Sequence, residues 1–462
     1  MEIEIKKRFI EKCEKYFPVW ELPIQCNLIR LRRQPGGMGI LMSQSSMDSN
    51  VTGKSGLPRR VAAYGLVVMT LLNFVNYIDR YVLPAVGPRV KESLALSDAQ
   101  LGFLGSAFLF AYMLLSPLFG RLGDRGPRTR LMALGVGIWS IATAGAGLVR
   151  NFAQMLAARA AVGVGEASYA AISPTLISDY YPPERRGRAF AIFYLAIPVG
   201  SAVGYLLGGL IEHHFGWRAA FFAVGLPGVL LALLTLTAPD PPRGINDEPA
   251  EIAEPAASYM EILLVLARNR QYVIAVVGYA LYTFAVGGMS FWMPIYLNRE
   301  RGILLKNADS LIGLITVVAG IGGTFIGGYL ADKLSPRLRQ AYLYVSGLSM
   351  LAAVPAAWLA FRASTPAGYL SALLAAEFLA FFSTGPINVV IVSVVSVGIR
   401  ATAMAVSIFI IHLFGDAAAP WLLGAISDRM GLSNAVLIVP LTVALSGIVW
   451  TCGAWNAARH SA

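Results

Sequence analysis

Cysteine is almost absent. The three present, Cys13, Cys26 and Cys452, lie far apart in 462 residues, which excludes a disulfide framework and a cysteine-bound metal, and redox chemistry with them. Charge is scarce as well. Asp, Glu, Lys and Arg make up 14% of the chain against 56% hydrophobic residues, a balance that excludes a soluble globular protein. Alternating ten-residue segments separated by turns are missing, which excludes a transmembrane barrel. No ATP-binding motif and no nucleophile with an adjacent base is present, so an enzyme or a primary pump is not expected and no cofactor is called for. "TGKS" at 52–55 has the tail of a phosphate loop, but Asp48 stands where the leading glycine belongs.

What is there is apolar length. About twelve stretches long enough to cross a hydrocarbon core of ~30 Å recur after residue 60, near 61–86, 98–119, 131–149, 154–180, 188–211, 217–238, 270–297, 308–331, 340–361, 367–393, 399–425 and 433–455. Helices satisfy the backbone in such a setting. The expected organisation is a basic, mostly disordered tail over 1–60, a six-helix bundle over 61–238, a polar, proline-rich linker over 239–268, a second bundle over 269–456 and a short tail over 457–462. The N-terminal tail lacks the regions of a secretory signal.

A net charge of +11 raises nucleic acid as a partner, but the positive residues sit in short connections and in the tail, where topology explains them. With the N-terminus cytoplasmic, the inner side holds the tail, "RLGDRGPRTR", "ERRGR", the mid-chain connection and "DKLSPRLR". Both termini are therefore expected in the cytoplasm of a cell with this protein in its inner membrane.

The halves resemble each other. "GRLGD" (120–124) and "GYLAD" (328–332) pair Gly120, Leu122 and Asp124 with Gly328, Leu330 and Asp332 at one offset, and Gly200, Gly209 and Gly216 pair with Gly415, Gly424 and Gly431 at another. Parallel six-helix repeats are the architecture of major facilitator transporters. The loop "GRLGDRGPRTR" (120–130) resembles the signature loop of that superfamily. Asp124 there can complement a helix N-terminus while Arg125, Arg128 and Arg130 bond carbonyls and carboxylates across the half, a latch favouring one alternating state.

"NYIDR" (76–80), "GVGEASY" (163–169), "YYPPERRGRAFAIFY" (180–194) and "HLFGDAAAPWLLGAISD" (412–428) together resemble the Spinster family of that superfamily, as a bacterial-type member. The resemblance runs through residues 60–455. It implies an all-α major facilitator fold and proton-linked or facilitative export of lysophospholipids or sphingosine phosphates, an amphiphile with a charged head and one acyl-like chain. The long tail has no family counterpart, and "GIRATAMAV" lacks a second basic residue beside Arg400, which weakens a latch in the second half. The partners expected are an amphiphilic lipid, protons and membrane lipids, with the chain a monomer.

Ionisable groups at bilayer depth cost at least ~2.5–3.5 kcal/mol each on insertion scales, so they face polar cavities and serve function by default. Seven are found: Asp79 and Arg80 in helix 1, Arg159 and Glu166 in helix 4, Glu377 in helix 10, and His412 and Asp416 in helix 11. Adjacent helical residues point about 100° apart, so Asp79 and Arg80 each need a partner from elsewhere. Arg159 and Glu166 stand seven apart on one face, and the expected pairs are Asp79 with Arg159 and Arg80 with Glu166. Either the cluster only fixes packing, or its members change partners. In the second case Asp79 and Glu166 couple protons, while Arg80 and Arg159 take a phosphate by bidentate hydrogen bonds.

Asn76 shares the stripe of Arg80, and Tyr279 and Tyr282 of helix 7 are candidates to bed an acyl chain. Glu377 is read as a second proton site, a contact for a cationic head group, or a glutamate bonded to a neighbouring helix. His412 and Asp416, spaced i, i+4, are read as conformational coupling, alongside Gly120, Asp124, Arg125, Arg128, Asp332 and Arg400. One histidine implies no metal. Gly200, Gly204 and Gly208 of helix 5 are expected at a close helix contact. A multidrug or organic-anion antiporter and an uncoupled lipid facilitator or scramblase remain open beside lipid export.

Overall fold

The computed structural model describes residues 57–243, 245, 259–396 and 399–459, all of them within the unit Lys54–Ala462. Residues 1–56 of the tail and residues 244 and 246–258 of the linker lie outside the described residues, as do the side chains of Asp124 and Arg400. Helices joined by short turns make up the described residues. The first six are α1 (Arg59–Leu94), α2 (Asp98–Arg125), α3 (Arg128–Ala146), α4 (Phe152–Tyr180), α5 (Pro183–Phe215) and α6 (Trp217–Thr235). A short linker helix, Tyr259–Arg268, precedes α7 (Arg270–Arg299), α8 (Leu305–Leu334) and α9 (Ala341–Arg362). Then come α10, broken into Pro366–Phe381 and Thr384–Ser393, α11, broken into Arg400–Ile411 and Ala419–Met430, and α12 (Ile438–Arg459).

Ten helices among the described residues are long and apolar enough to cross a membrane. The two that fall short are α3, which opens on Arg128 and Arg130, and α4, which carries Arg159 and Glu166. Within the first half, neighbouring helices bury Arg128, Arg159 and Glu166. The described residues are all-α, and their long apolar helices are those of a multi-pass membrane protein.

Small residues let the helices approach. A Cβ at Gly200, Gly204 or Gly208 of α5 would run into Phe74, Ile78 or Ala85 of α1, so the four-residue glycine spacing serves close contact. The repeat also has a conformational counterpart. Gly216 and Gly431, matched by the second offset, end α5 and α11 with φ of 82° and 81°, a region L-residues avoid.

Two seams join the halves at the end away from the chain termini. Gly424 and Pro420 of α11 lie against Asp98 and Gly102 of α2, while Gly209 and Ala202 of α5 lie against Asp309 and Gly313 of α8. Arg299 of α7 grips Asp98 through both guanidinium nitrogens, at 2.6 and 2.9 Å. Tyr205 of α5 adds a hydrogen bond to the Ser290 carbonyl of α7. These contacts close that end of the molecule.

Candidate functional site

A cavity of about 230 Å³ lies between the halves. Its first wall is Tyr77, Arg80 and Tyr81 of α1, Phe108 of α2 and Arg159 of α4; its second is Thr283, Gly287, Ser290 and Phe291 of α7 with His412 and Asp416 of α11. On α7 the lining positions 283, 286, 287, 290 and 291 make one helical stripe, in which Thr283, Gly287 and Ser290 are small or polar and Val286 and Phe291 are apolar.

Arg80 donates to Glu166 at 2.9 Å from both Nε and Nη2. Glu166 is fully buried, and its Oε1 has no hydrogen-bond partner among the described residues. A buried pair of this kind is not in itself a strong stabiliser, because desolvation offsets the attraction. Were Arg80 to turn away, however, Glu166 would be left as a buried, uncompensated charge, and that makes the pair sensitive to anything that competes for Arg80.

The structure corrects the other expected pair. Asp79 forms no ion pair with Arg159; it accepts a hydrogen bond from Thr143 of α3 at 2.5 Å, and its second oxygen has no partner among the described residues. The third helix, α3, supplies the group that spacing on α1 and α4 could not show. Arg159 therefore makes no direct bond to Asp79, although Asp79 and Glu166 remain its electrostatic neighbours. It is 2% exposed, lines the cavity, leaves its Nε without a partner, and lies with its guanidinium carbon 5.0 Å from the centre of the Phe108 ring. Arg80 lies 5.0 Å from the same ring, so the two guanidinium groups are at most about 10 Å apart. Aromatic faces hold cations in place without neutralising them.

The other candidates divide. Asn76 is buried but does not line the cavity, and its Nδ2 has no hydrogen-bond partner among the described residues. Tyr279 and Tyr282 point away from the cavity into the second half, toward Asn388 at 3.3 Å and Thr384 at 3.0 Å. Tyr279 and Tyr282 thus belong to a packing face of α7, and the stripe through Thr283, Gly287 and Ser290, with Val286 and Phe291, is the one that meets the cavity. Glu377 sits in a separate pocket of about 20 Å³ with Tyr282, Met350 and Ala376, and its carboxylate accepts from Thr316 at 3.3 Å. Val286 and Ser290 border both cavities.

His412 and Asp416 pair as their spacing implied, at 2.9 and 3.0 Å. They do so in a π turn, His412–Asp416, where Gly415 leaves helical geometry and lies against Thr283 of α7. Such turns recur at functional sites. Both side chains line the cavity, a location their reading as couplers did not include. Near the termini, Arg128 is buried and bonds Asp179, Asp240 at 2.8 Å and the Pro241 carbonyl at 2.5 Å, tying α3 to the ends of α4 and α6. Arg125 ends α2 in an exposed position, Gly120 has open space around it, and Asp332 accepts from Tyr342 at 2.9 Å.

The Major Facilitator Superfamily profile matches residues 69–420. Protein spinster homolog 3 of Danio rerio is 34% identical over 405 residues, 84% of this chain and 81% of its own length. Protein spinster homolog 1 of Homo sapiens is 34% identical over 396 residues, 81% and 75% of the two chains. The chain belongs to the Spinster family. Among solved structures, a bacterial homolog to the human lysosomal transporter Spinster, in an inward-facing and unoccupied conformation, superposes with a TM-score of 0.79 at 25% identity, over 87% of this chain and 98% of that one. The nucleoside transporter NupG shares the fold alone, at a TM-score of 0.65 and 14% identity over 84% and 98%. Spinster proteins are membrane transporters and not enzymes.

Proposed function

We propose that this Spinster-family chain is a secondary active transporter that moves a lysophospholipid or sphingosine-phosphate-like amphiphile by alternating access, with proton coupling through Asp79 and Glu166. The observation that carries this reading is Arg159, a buried guanidinium in the cavity wall with no carboxylate bound to it. Asp79 and Glu166 act on Arg159 through space without a hydrogen bond to it; a buried cation with unfilled donors is costly, and an anionic head group entering the cavity is its natural complement. Guanidinium suits phosphate because it donates two parallel hydrogen bonds and keeps its charge.

Arg80 is the second donor. A phosphate held between the two arginines competes with Glu166 for Arg80, and Glu166, losing its bonded cation, then takes a proton. One binding event thereby changes the proton occupancy of the wall. The apolar and aromatic remainder, Phe108, Phe291 and Val286, accommodates the chain. His412 and Asp416 face this wall from the other half. With the far end closed, the cavity serves the side on which the termini lie, which we place in the cytoplasm because the connections there are basic. The chain then acts as a monomer in a cell membrane.

The test is uptake of labelled lysophospholipid into proteoliposomes with and without a pH gradient, for wild type and Glu166→Gln. Gradient-driven uptake is expected in wild type and lost in the variant, with exchange of lipid across the membrane retained. Uptake indifferent to both the gradient and the substitution would replace this reading with an uncoupled facilitator or scramblase.

A further inference from the structure

The two far-end seams are matched by the internal repeat, since Gly209 and Gly424 are partners in it and each lies against an aspartate near the start of a helix in the opposite half. Their electrostatics differ. Asp98, at the α2–α11 seam, accepts from Arg299, from Lys91 at 2.6 Å and from Ser427 at 2.5 Å. Asp428 of α11 in turn accepts the α2 backbone amides of Asp98 and Ala99 at 2.7 and 2.8 Å. Asp309, at the α5–α8 seam, has no exposed surface, and neither of its carboxyl oxygens has a hydrogen-bond partner among the described residues.

The surroundings of Asp309 do not supply a counter-charge. Its electrostatic neighbours on α5 are Glu212 and Tyr205, an acid and a phenol. Glu212 is itself engaged by Arg89 of α1 at 3.0 Å. Lys306, three residues earlier on α8, contributes its Cα to the seam against Gly209, and no cation pairs with Asp309 among the described residues. A carboxylate ion stripped of water, hydrogen bonds and counter-ion is among the least tolerable groups in a protein interior, whereas the neutral acid is a modest burden.

We propose that Asp309 is a proton-binding seal: α5 and α8 close over it in its acid form, and the seam parts when the proton leaves. The closed seam then takes up a proton and the open one releases it, so acid favours closure and alkali favours opening. Asp98, held by two cations, gives its seam no such dependence. This proton is separate from the one assigned to Glu166. The seal rests on the alternating-access reading, since it needs a seam that opens.

Spin labels on His214→Cys and Asn307→Cys, both exposed positions at this seam, with Cys13, Cys26 and Cys452 replaced by serine, report the α5–α8 distance in lipid nanodiscs. With Asp309 intact the distance is expected to be short in acid and to gain a longer population as pH rises. Asp309→Asn and Asp309→Leu, neutral at every pH, are expected to hold the short distance throughout. A pH response that persists in either variant overturns the proposal. So does a distance that ignores pH while Asp309 is intact, a titration that needs no substitution at 309. The readout is a distance without transported lipid, so its failure is distinct from failure of gradient-driven uptake.

Discussion

The two halves repeat one backbone plan and bury acids in opposite ways. In the first, Glu166 has Arg80 and Asp79 has Thr143, with Arg159 facing the same cavity. In the second, Glu377 has one long hydrogen bond from Thr316 and an apolar pocket around it. A repeat preserves helix directions and small-residue contacts, because those set how close backbones approach. It places no such demand on charge, so each half is free to carry different chemistry. On the proposed reading the first half holds an anion and exchanges a proton for it; the second supplies the cavity-facing stripe of α7 and the π turn of α11.

Substitutions can break or sharpen that contrast. The largest effect is expected from Arg80→Ala, which leaves Glu166 buried without its cation. Removing one partner of such a pair destabilises by ~3–5 kcal/mol, visible as a marked fall in the thermal midpoint in detergent, and Arg80→Ala/Glu166→Gln should recover much of it. Next comes Arg159→Ala, which breaks no hydrogen-bonded ion pair among the described residues and should therefore disturb the fold less than Arg80→Ala. Loss of a charged hydrogen-bond donor should weaken binding of a lysophospholipid phosphate roughly 10–100-fold, read by tryptophan fluorescence titration. Arg159→Lys should fall between, as a point charge without the fork. The smallest is Glu377→Gln, which keeps the acceptor for Thr316 and should change lipid uptake by less than about threefold, or ~0.7 kcal/mol. Should Glu377→Gln cost as much as Arg159→Ala, the division of labour between the halves collapses.

Parts of the site are legible in the chain alone, and parts are not. The pairing of Arg80 with Glu166 follows from the one-face spacing of Arg159 and Glu166 and the opposite directions of α1 and α4. The pairing of Asp79 with Arg159 fails on the same logic, because spacing gives the face of a helix but not which third helix intervenes. Thr143 carries no signal as a lone threonine in an apolar span. On α7 the aromatic residues single out Tyr279 and Tyr282, whereas the run of Thr283, Gly287 and Ser290 was the available sign of a cavity face. Asp309 lies near the start of its helix, where an acid ordinarily reads as solvated, and only the closed seam buries it.

By itself the sequence determined that the chain is helical, crosses a membrane many times, repeats internally, belongs with the Spinster proteins and sets charges at bilayer depth. It could do so because lipid punishes unpaired backbone and stray charge so heavily that length, hydropathy and exceptions to it are readable one helix at a time. Tertiary structure alone decided which charge faces which partner, which stripe of α7 meets the cavity, and that one seam aspartate is held by cations while its counterpart has none among the described residues. Those outcomes depend on the rotation and depth of one helix against another, and that relation is set by the packing of all the helices together.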